Sequence, residues 1–305
     1  MKVNSFAKIA LLAAVAVSGA GYAQAQQPVK VGVAFQEMNN VYFITMKNAL
    51  MNVAREKNVD LIFTDAHHDI MKQTNDVEDL IQQNIKILLL NPTDTVGIES
   101  SVKAAKAAGV IVIAVDANAK GPVDSFVGSK NEDAGRLACD YLAKSIGKSG
   151  DVAILDGIPV VPILQRVKGC REALANYPNI HITSVQNGRQ ERDVALTVTE
   201  NILSANPRLK GIFSVNDVGS MGSLAAIKAS GRDVKLTSVD GSPDACNAIK
   251  QPNSPFIATS AQFPGKMAVM ALDLGLKKLS GQSIPSVVPV NVELIDRQAA
   301  ATFKW

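Results

Sequence analysis

The sequence predicts an α/β protein built from two similar, doubly wound parallel-sheet lobes. Three observations predict it. Short β-rich runs alternate with amphipathic stretches, the alternation restarts after residue 130, and short polar residues recur where the runs end. Strict βα repetition implies parallel sheets with right-handed crossovers. No linker rich in Pro, Gly or Ser parts the halves, so short crossings should join them in place of a floppy tether.

The first half opens with the run Val29 to Phe35. A helical stretch follows, with Phe43, Met46, Leu50, Val53 and Ala54 on one face. The strand Val59 to Phe63 and a helix carrying Ile70, Val77, Leu80 and Ile81 come next. The run Lys86 to Leu90 is almost continuously apolar, as a strand covered on both faces should be. A helix from Val102 to Ala108 leads through Gly109 to the strand Val110 to Val115. In the second half, helix 131–146 precedes strand 151–155, and helix 163–176 precedes strand 180–185. Helix 192–204 precedes strand 210–215, and helix 217–230 precedes strand 234–239.

Open α/β sheets bind ligands beyond the carboxyl ends of their strands. The residues standing there are Asn39, Asn40, Asn91 and Asp116 in the first half, then Asp156, Asn216, Asp217 and Asp240 in the second. Any one of them would suit a surface loop; their recurrence points to a polar site.

Residues 1–25 read as a cleaved secretory signal peptide. Lys2 and Lys8 precede the apolar run Ile9 to Val17, and Ala23-Gln24-Ala25 is a small-x-small cleavage pattern. The run is far short of the roughly 20 residues that span a bilayer, and no Cys follows it to carry a lipid. Cleavage after Ala25 removes both lysines, which lowers the net charge from +3 to +1 over the remaining 280 of 305 residues. That length suits two domains, each with its own core. The near-neutral balance argues against nucleic acid, whose phosphates demand clustered Lys and Arg.

Catalytic and metal motifs are not supported. Gly147-Lys148-Ser149 looks like the end of a phosphate loop, but the required earlier glycine is Leu142, so it reads as a helix C-cap. His67-His68 between Asp65 and Asp69 lacks a spaced partner set and reads as a solvated loop, with no metal. His181 lies in a strand and is expected to pack. Three histidines and no activated nucleophile give no catalytic constellation, and no cofactor is implied. Cys139, Cys170 and Cys246 are odd in number and widely spaced. They read as small buried hydrophobes, with one disulfide left open for an oxidising compartment.

The aromatic pair Tyr42-Phe43 follows Asn39-Asn40 at the first strand-to-helix turn. Phe43 fits the apolar helix face and Tyr42 does not. Aromatic rings cover the C–H face of a sugar while amides and carboxylates read its hydroxyls. The segment Asn39 to Phe43 resembles the N-N-P-F-F turn of ribose-binding proteins. Ile87 to Asp94, Asn216-Asp217, Val239 to Asp244 and Ala261 to Pro264 are similar to the same family in order and spacing. The chain thus resembles the type I periplasmic sugar-binding proteins, the solute receptors of ABC importers.

The resemblance implies three crossings between lobes. Lobe one would comprise 28–129 plus 262–291, and lobe two 130–261 plus 292–305. It implies ligand contacts at Asn40, Tyr42, Phe43, Asp116, Arg166, Asn216, Asp240 and Gln262. It also implies a periplasmic monomer that takes a small polyhydroxylated ligand, docks on an importer permease, and in some relatives also serves a chemoreceptor. Ribose receptors carry Arg directly after the strand-end Asp, where this chain has Ala117, and a third aromatic near the position of Gln190. One charged fork and one stacking face are therefore absent, which argues against ribose itself and leaves another pentose, a hexose, an open-chain polyol or a cyclitol equally open. Asn118 is the candidate replacement donor, and Gln190, near the place of the lost ring, is a further candidate ligand contact. A receptor for a furanose-like signalling molecule fits the same pattern. A sugar-responsive transcription regulator would need a DNA-binding domain where the signal peptide stands, and an enzyme would need the catalytic motifs described above.

Overall fold

The computed structural model describes residues 27–305, so the predicted signal peptide lies outside the described residues. The first half runs β1 (Val29–Phe35), α1 (Val41–Ala54), β2 (Val59–Asp65), α2 (Ile70–Gln82), β3 (Ile87–Leu90), α3 (Glu99–Ala107), β4 (Ile111–Val115) and β5 (Ser125–Ser129). The second runs α4 (Asn131–Ser145), β6 (Ser149–Asp156), α5 (Val161–Ala175), β7 (Asn179–Asn187), α6 (Arg192–Ala205), β8 (Leu209–Ser214), α7 (Asp217–Ser230) and β9 (Lys235–Asp240). The chain continues through α8 (Pro243–Lys250), β10 (Phe256–Ala261), α9 (Pro264–Leu279), β11 (Val287–Val290), β12 (Glu293–Asp296) and α10 (Arg297–Ala300).

Two six-stranded sheets result, ordered β11-β5-β4-β3-β1-β2 and β12-β10-β9-β8-β6-β7. Every pairing is parallel except β10 with β12. The chain crosses between the sheets three times: after β5, after β10 and after β11. Each sheet is covered on both faces. In the first, Phe43, Met46 and Leu50 of α1 meet Met267 and Leu272 of α9 on one face. Val77 and Leu80 of α2 pack with Val102 and Ala105 of α3 on the other. All four residues of β3 are buried, which is why that run carries no polar alternation.

The predicted helix C-cap is present: α4 ends at Ser145, and Gly147 takes φ +75. Two expectations are corrected. His181 is exposed on β7, because β7 is an edge strand and alternate residues of it face solvent. Cys139 and Cys170 are buried but do not act as separate hydrophobes; they form a disulfide between α4 and α5, while Cys246 is free and buried. No described helix is long and apolar enough to cross a membrane.

Candidate functional site

The carboxyl ends of both sheets converge on one cavity, which opens about 70 Å³ to the centres of water-sized molecules. One water needs roughly 10–15 Å³ by that measure, so the space suits a compact small molecule. Of the residues named from sequence, Asn40, Tyr42, Phe43, Asp116, Arg166, Asn216, Asp240, Gln262 and Gln190 all line it. Asn118 does not. It is exposed, and its Oδ1 turns back to accept from the Ala119 amide at 2.9 Å.

The two strand-end aspartates that line the cavity sit at strained turns. Asp116, just after β4, has φ +67, and Asp240, the last residue of β9, has φ +138. L-residues rarely adopt such angles, and the cost of order 1–3 kcal/mol each is carried by the surrounding hydrogen bonds. Asp116 receives the Tyr42 hydroxyl on Oδ1 at 2.8 Å and the Asn91 amide on Oδ2 at 3.4 Å. Asp240 receives Arg166 Nη1 at 3.2 Å and Gln262 Nε2 at 2.7 Å on Oδ1, and the Asp217 amide at 3.2 Å on Oδ2.

Burial dominates the electrostatics. It pushes the Asp116 carboxyl up to about 6, against the Tyr42 hydrogen bond and the Arg166 charge, while the Asp240 charge adds to the rise. Asp240 is also raised, because burial outweighs the stabilising Arg166 charge. Asp217 lies behind Asp240, 1 % exposed, and is pushed up to about 7 by burial and by the Asp240 charge. Its carboxylate accepts from Ser238 and Thr259 hydroxyls and the Ser242 amide, which fastens the Asp240 turn to β10 and α8. Burial, followed by the charges of Asp116 and Asp240, holds the Tyr42 hydroxyl well above its ordinary range.

The two asparagines carry a second duty. Asn40 caps α1 by accepting from the Tyr42 amide at 3.0 Å, and Asn216 caps α7 by accepting from Gly219 at 3.1 Å. Gln190 takes φ +63, and its side chain folds over Gly157 to accept from the Ile158 amide at 3.2 Å. Asn91 and Asp217 support the two aspartates from behind. Asp156 turns its Oδ1 onto the Gly157 amide at 2.7 Å and lines no part of this cavity.

Sequence reasoning passed over several contributors. Val160, Pro162 and Ile163, at the start of α5, line the cavity together with Tyr42 and Phe43 and add apolar surface to it. Gln36 and Glu37 follow β1 directly, so the strand-end rule was enough to find them. Asn131, the first residue of α4, accepts from Arg166 Nε at 2.9 Å, and Val215 O accepts from Nη1 at 2.8 Å. Trp305 donates Nε1–H to Gln262 O at 2.9 Å and sets its ring edge-on to Tyr42, centroids 5.5 Å apart. Nothing local to positions 131 or 305 signals these roles.

The geometry has counterparts among known proteins. Residues 31–283 match the family described as periplasmic binding protein domain. The ribose import binding protein of Bacillus subtilis (strain 168) is 35% identical over 270 residues, 87% of this chain and 86% of that protein. A xylitol-binding protein of Mycolicibacterium smegmatis is 30% identical over 256 residues, 80% of this chain and 70% of that one. A solute-binding protein of an ABC transporter from Actinobacillus succinogenes 130z, solved with bound D-allose, superposes with a TM-score of 0.87 at 31% identity. That comparison covers 90% of this chain and 100% of the other. The chain belongs to the periplasmic binding protein family, and within it to the sugar- and polyol-binding solute-binding proteins that resemble the ribose import binding proteins.

Proposed function

We propose that this protein is a periplasmic solute receptor of an ABC importer that encloses a monosaccharide, polyol or cyclitol between its lobes. The observation that carries the reading is a surplus of acceptors among the buried polar atoms at the cavity. Gln262 Oε1 is buried without a hydrogen-bond partner, beside two carboxylates that burial has already raised. A polyhydroxylated molecule supplies the missing donors, and its own oxygens accept from Arg166. Tyr42 and Phe43 cover one apolar face of its carbon skeleton, and Pro162 and Ile163 the other.

In this reading, residues 28–129 with 262–291 close against residues 130–261 with 292–305. A molecule that bonds Asp116 on one lobe and Arg166 and Asp240 on the other gains its full set of contacts only in the closed form, so binding favours closure. The closed monomer then docks on the permease, and a chemoreceptor would read the same surface. Ala117 and Gln190 disfavour ribose, since they stand where the ribose receptors carry an Arg and a ring, and ribose would lose a charged donor and a stacking face here.

Titration calorimetry with D-ribose, D-allose, xylitol and myo-inositol tests the proposal. At least one compound should bind with 1:1 stoichiometry and more tightly than D-ribose. Heat from none of them would overturn the receptor reading, and tightest binding of D-ribose would overturn the specificity argument.

A further inference from the structure

Arg166 is held by the helix pair α4–α5, and that pair is fastened at three successive levels. At the first, Asn131 of α4 accepts from Arg166 Nε at 2.9 Å. At the second, the backbones touch: a Cβ on Gly135 would lie 1.9 Å from Arg166 O, and a Cβ on Gly169 would lie 1.9 Å from Glu132 O. Only glycine permits that approach at either helix. At the third, the Cys139–Cys170 disulfide joins the helices with Cα atoms 5.0 Å apart. Asn131, Gly135 and Cys139 recur every four residues along α4, so they share one face. Arg166, Gly169 and Cys170 share the facing side of α5.

This alignment has a consequence for binding. The Nε hydrogen bond is directional, and bonds of this kind weaken steeply as donor and acceptor slide out of line. The glycine contacts set the distance between the helices, and the solvent-exposed ion pairs Lys168–Glu132 and Arg136–Glu172 that also join them give only weak resistance to sliding along their axes. The disulfide, one turn beyond Arg166 on α5, supplies that resistance. We propose that Cys139 and Cys170 are positioning residues for Arg166, their disulfide holding α5 in register with α4 so that the guanidinium points at Asp240 and the cavity.

The inference rests on the receptor reading only for its binding arm. Its first arm needs no bound molecule: hydrogen exchange at the Arg166 Nε–H, assigned by loss of its signal in Arg166→Lys. Slow exchange is expected in the oxidised protein, and exchange at least about tenfold faster in the folded protein reduced with dithiothreitol, while amides of β8 and β9 stay protected. If the reduced protein unfolds, Cys139→Val with Cys170→Ala refills the volume and is measured in its place. In the second arm, losing the disulfide should weaken the tightest binder of the four-compound panel by about 2- to 10-fold, the worth of one hydrogen bond. The same loss in an Asn131→Ala background should be less than twofold, because the bond being positioned is already gone. Unchanged Nε–H exchange would overturn the proposal, as would an equal loss of affinity in both backgrounds. If none of the four compounds binds, the receptor reading fails and the exchange arm decides this inference alone.

Discussion

The hydroxyl of Tyr42 donates to Asp116 Oδ1 at 2.8 Å, joining the first turn of α1 to the end of β4 across 74 residues of chain. It is a principal donor to a carboxylate that has only a longer contact from Asn91 on its other oxygen. Tyr42→Phe keeps the ring and removes the donor. The Asp116 carboxyl should then rise above about 6, because the hydrogen bond that lowers it is lost. The ligand-free protein should lose roughly 1–3 kcal/mol, the cost of a buried group left unsatisfied. Carbon-detected titration of the carboxylates and thermal unfolding read the two effects.

Stability and affinity should depend on pH with opposite signs. Asp116 and Asp217 titrate at about 6 and about 7 in the fold, above the ordinary carboxylate value of 3.8. The folded state therefore binds these protons more tightly than the unfolded chain. The resulting stability is full below the unfolded value and is lost as pH rises through 6 and then 7. His68, raised mainly by its hydrogen bond to Glu37, contributes in the same sense. Melting of the ligand-free protein should accordingly rise from pH 8 to pH 5.5. A bound hydroxyl that donates to Asp116 lowers its pKa, so binding releases protons and affinity should fall below about pH 6. Asp116→Asn should flatten both profiles near pH 6.

Much of this site was legible because open α/β sheets put function at strand ends. Asp116, Asn216 and Asp240 follow β-rich runs, so period and composition alone nominate them. Arg166 has no such signal, since it lies nearly two turns into a helix; Gln262 does follow a strand, β10, but Ala258, Ser260 and Ala261 blunt the β-rich character of that run. The disulfide was not legible, because it depends on Gly135 and Gly169 letting two helices touch. A glycine in a helical pattern says nothing of its neighbour. Asn118 misled for the opposite reason: it sits next to the strand end, yet its side chain closes onto its own turn. The elements after residue 240 were the hardest to read, since β11 and β12 have four residues each and Pro289 interrupts the first.

Trp305 is the single tryptophan of the sequence, and it touches both Tyr42 and Gln262. Ligand binding should therefore change intrinsic tryptophan fluorescence. Trp305→Phe should abolish the signal and, by removing the bond to Gln262 O, reduce affinity by about 0.5–1.5 kcal/mol. Calorimetry on the variant separates loss of signal from loss of binding.

The disulfide closes a loop with a sequence separation of 31 residues. Chain-entropy reasoning assigns such a cross-link ~3–4 kcal/mol. Reduction should lower the melting temperature by roughly 5–15 °C in a protein of this size. Gly135→Ala should destabilise as well, by ~1–3 kcal/mol, because a Cβ there would lie 1.9 Å from Arg166 O and the helices must part. Thermal unfolding with and without reductant checks both.

A crystal structure of the protein with the tightest binder of the panel tests the central claim most directly. The account predicts one molecule between the sheets. Its hydroxyls should lie within hydrogen-bond reach of Asp116 on one side, of Arg166 and Asp240 on the other, and of Gln262 Oε1, with carbon atoms against Tyr42 and Phe43. A molecule bound elsewhere, or held by one sheet alone, would contradict it.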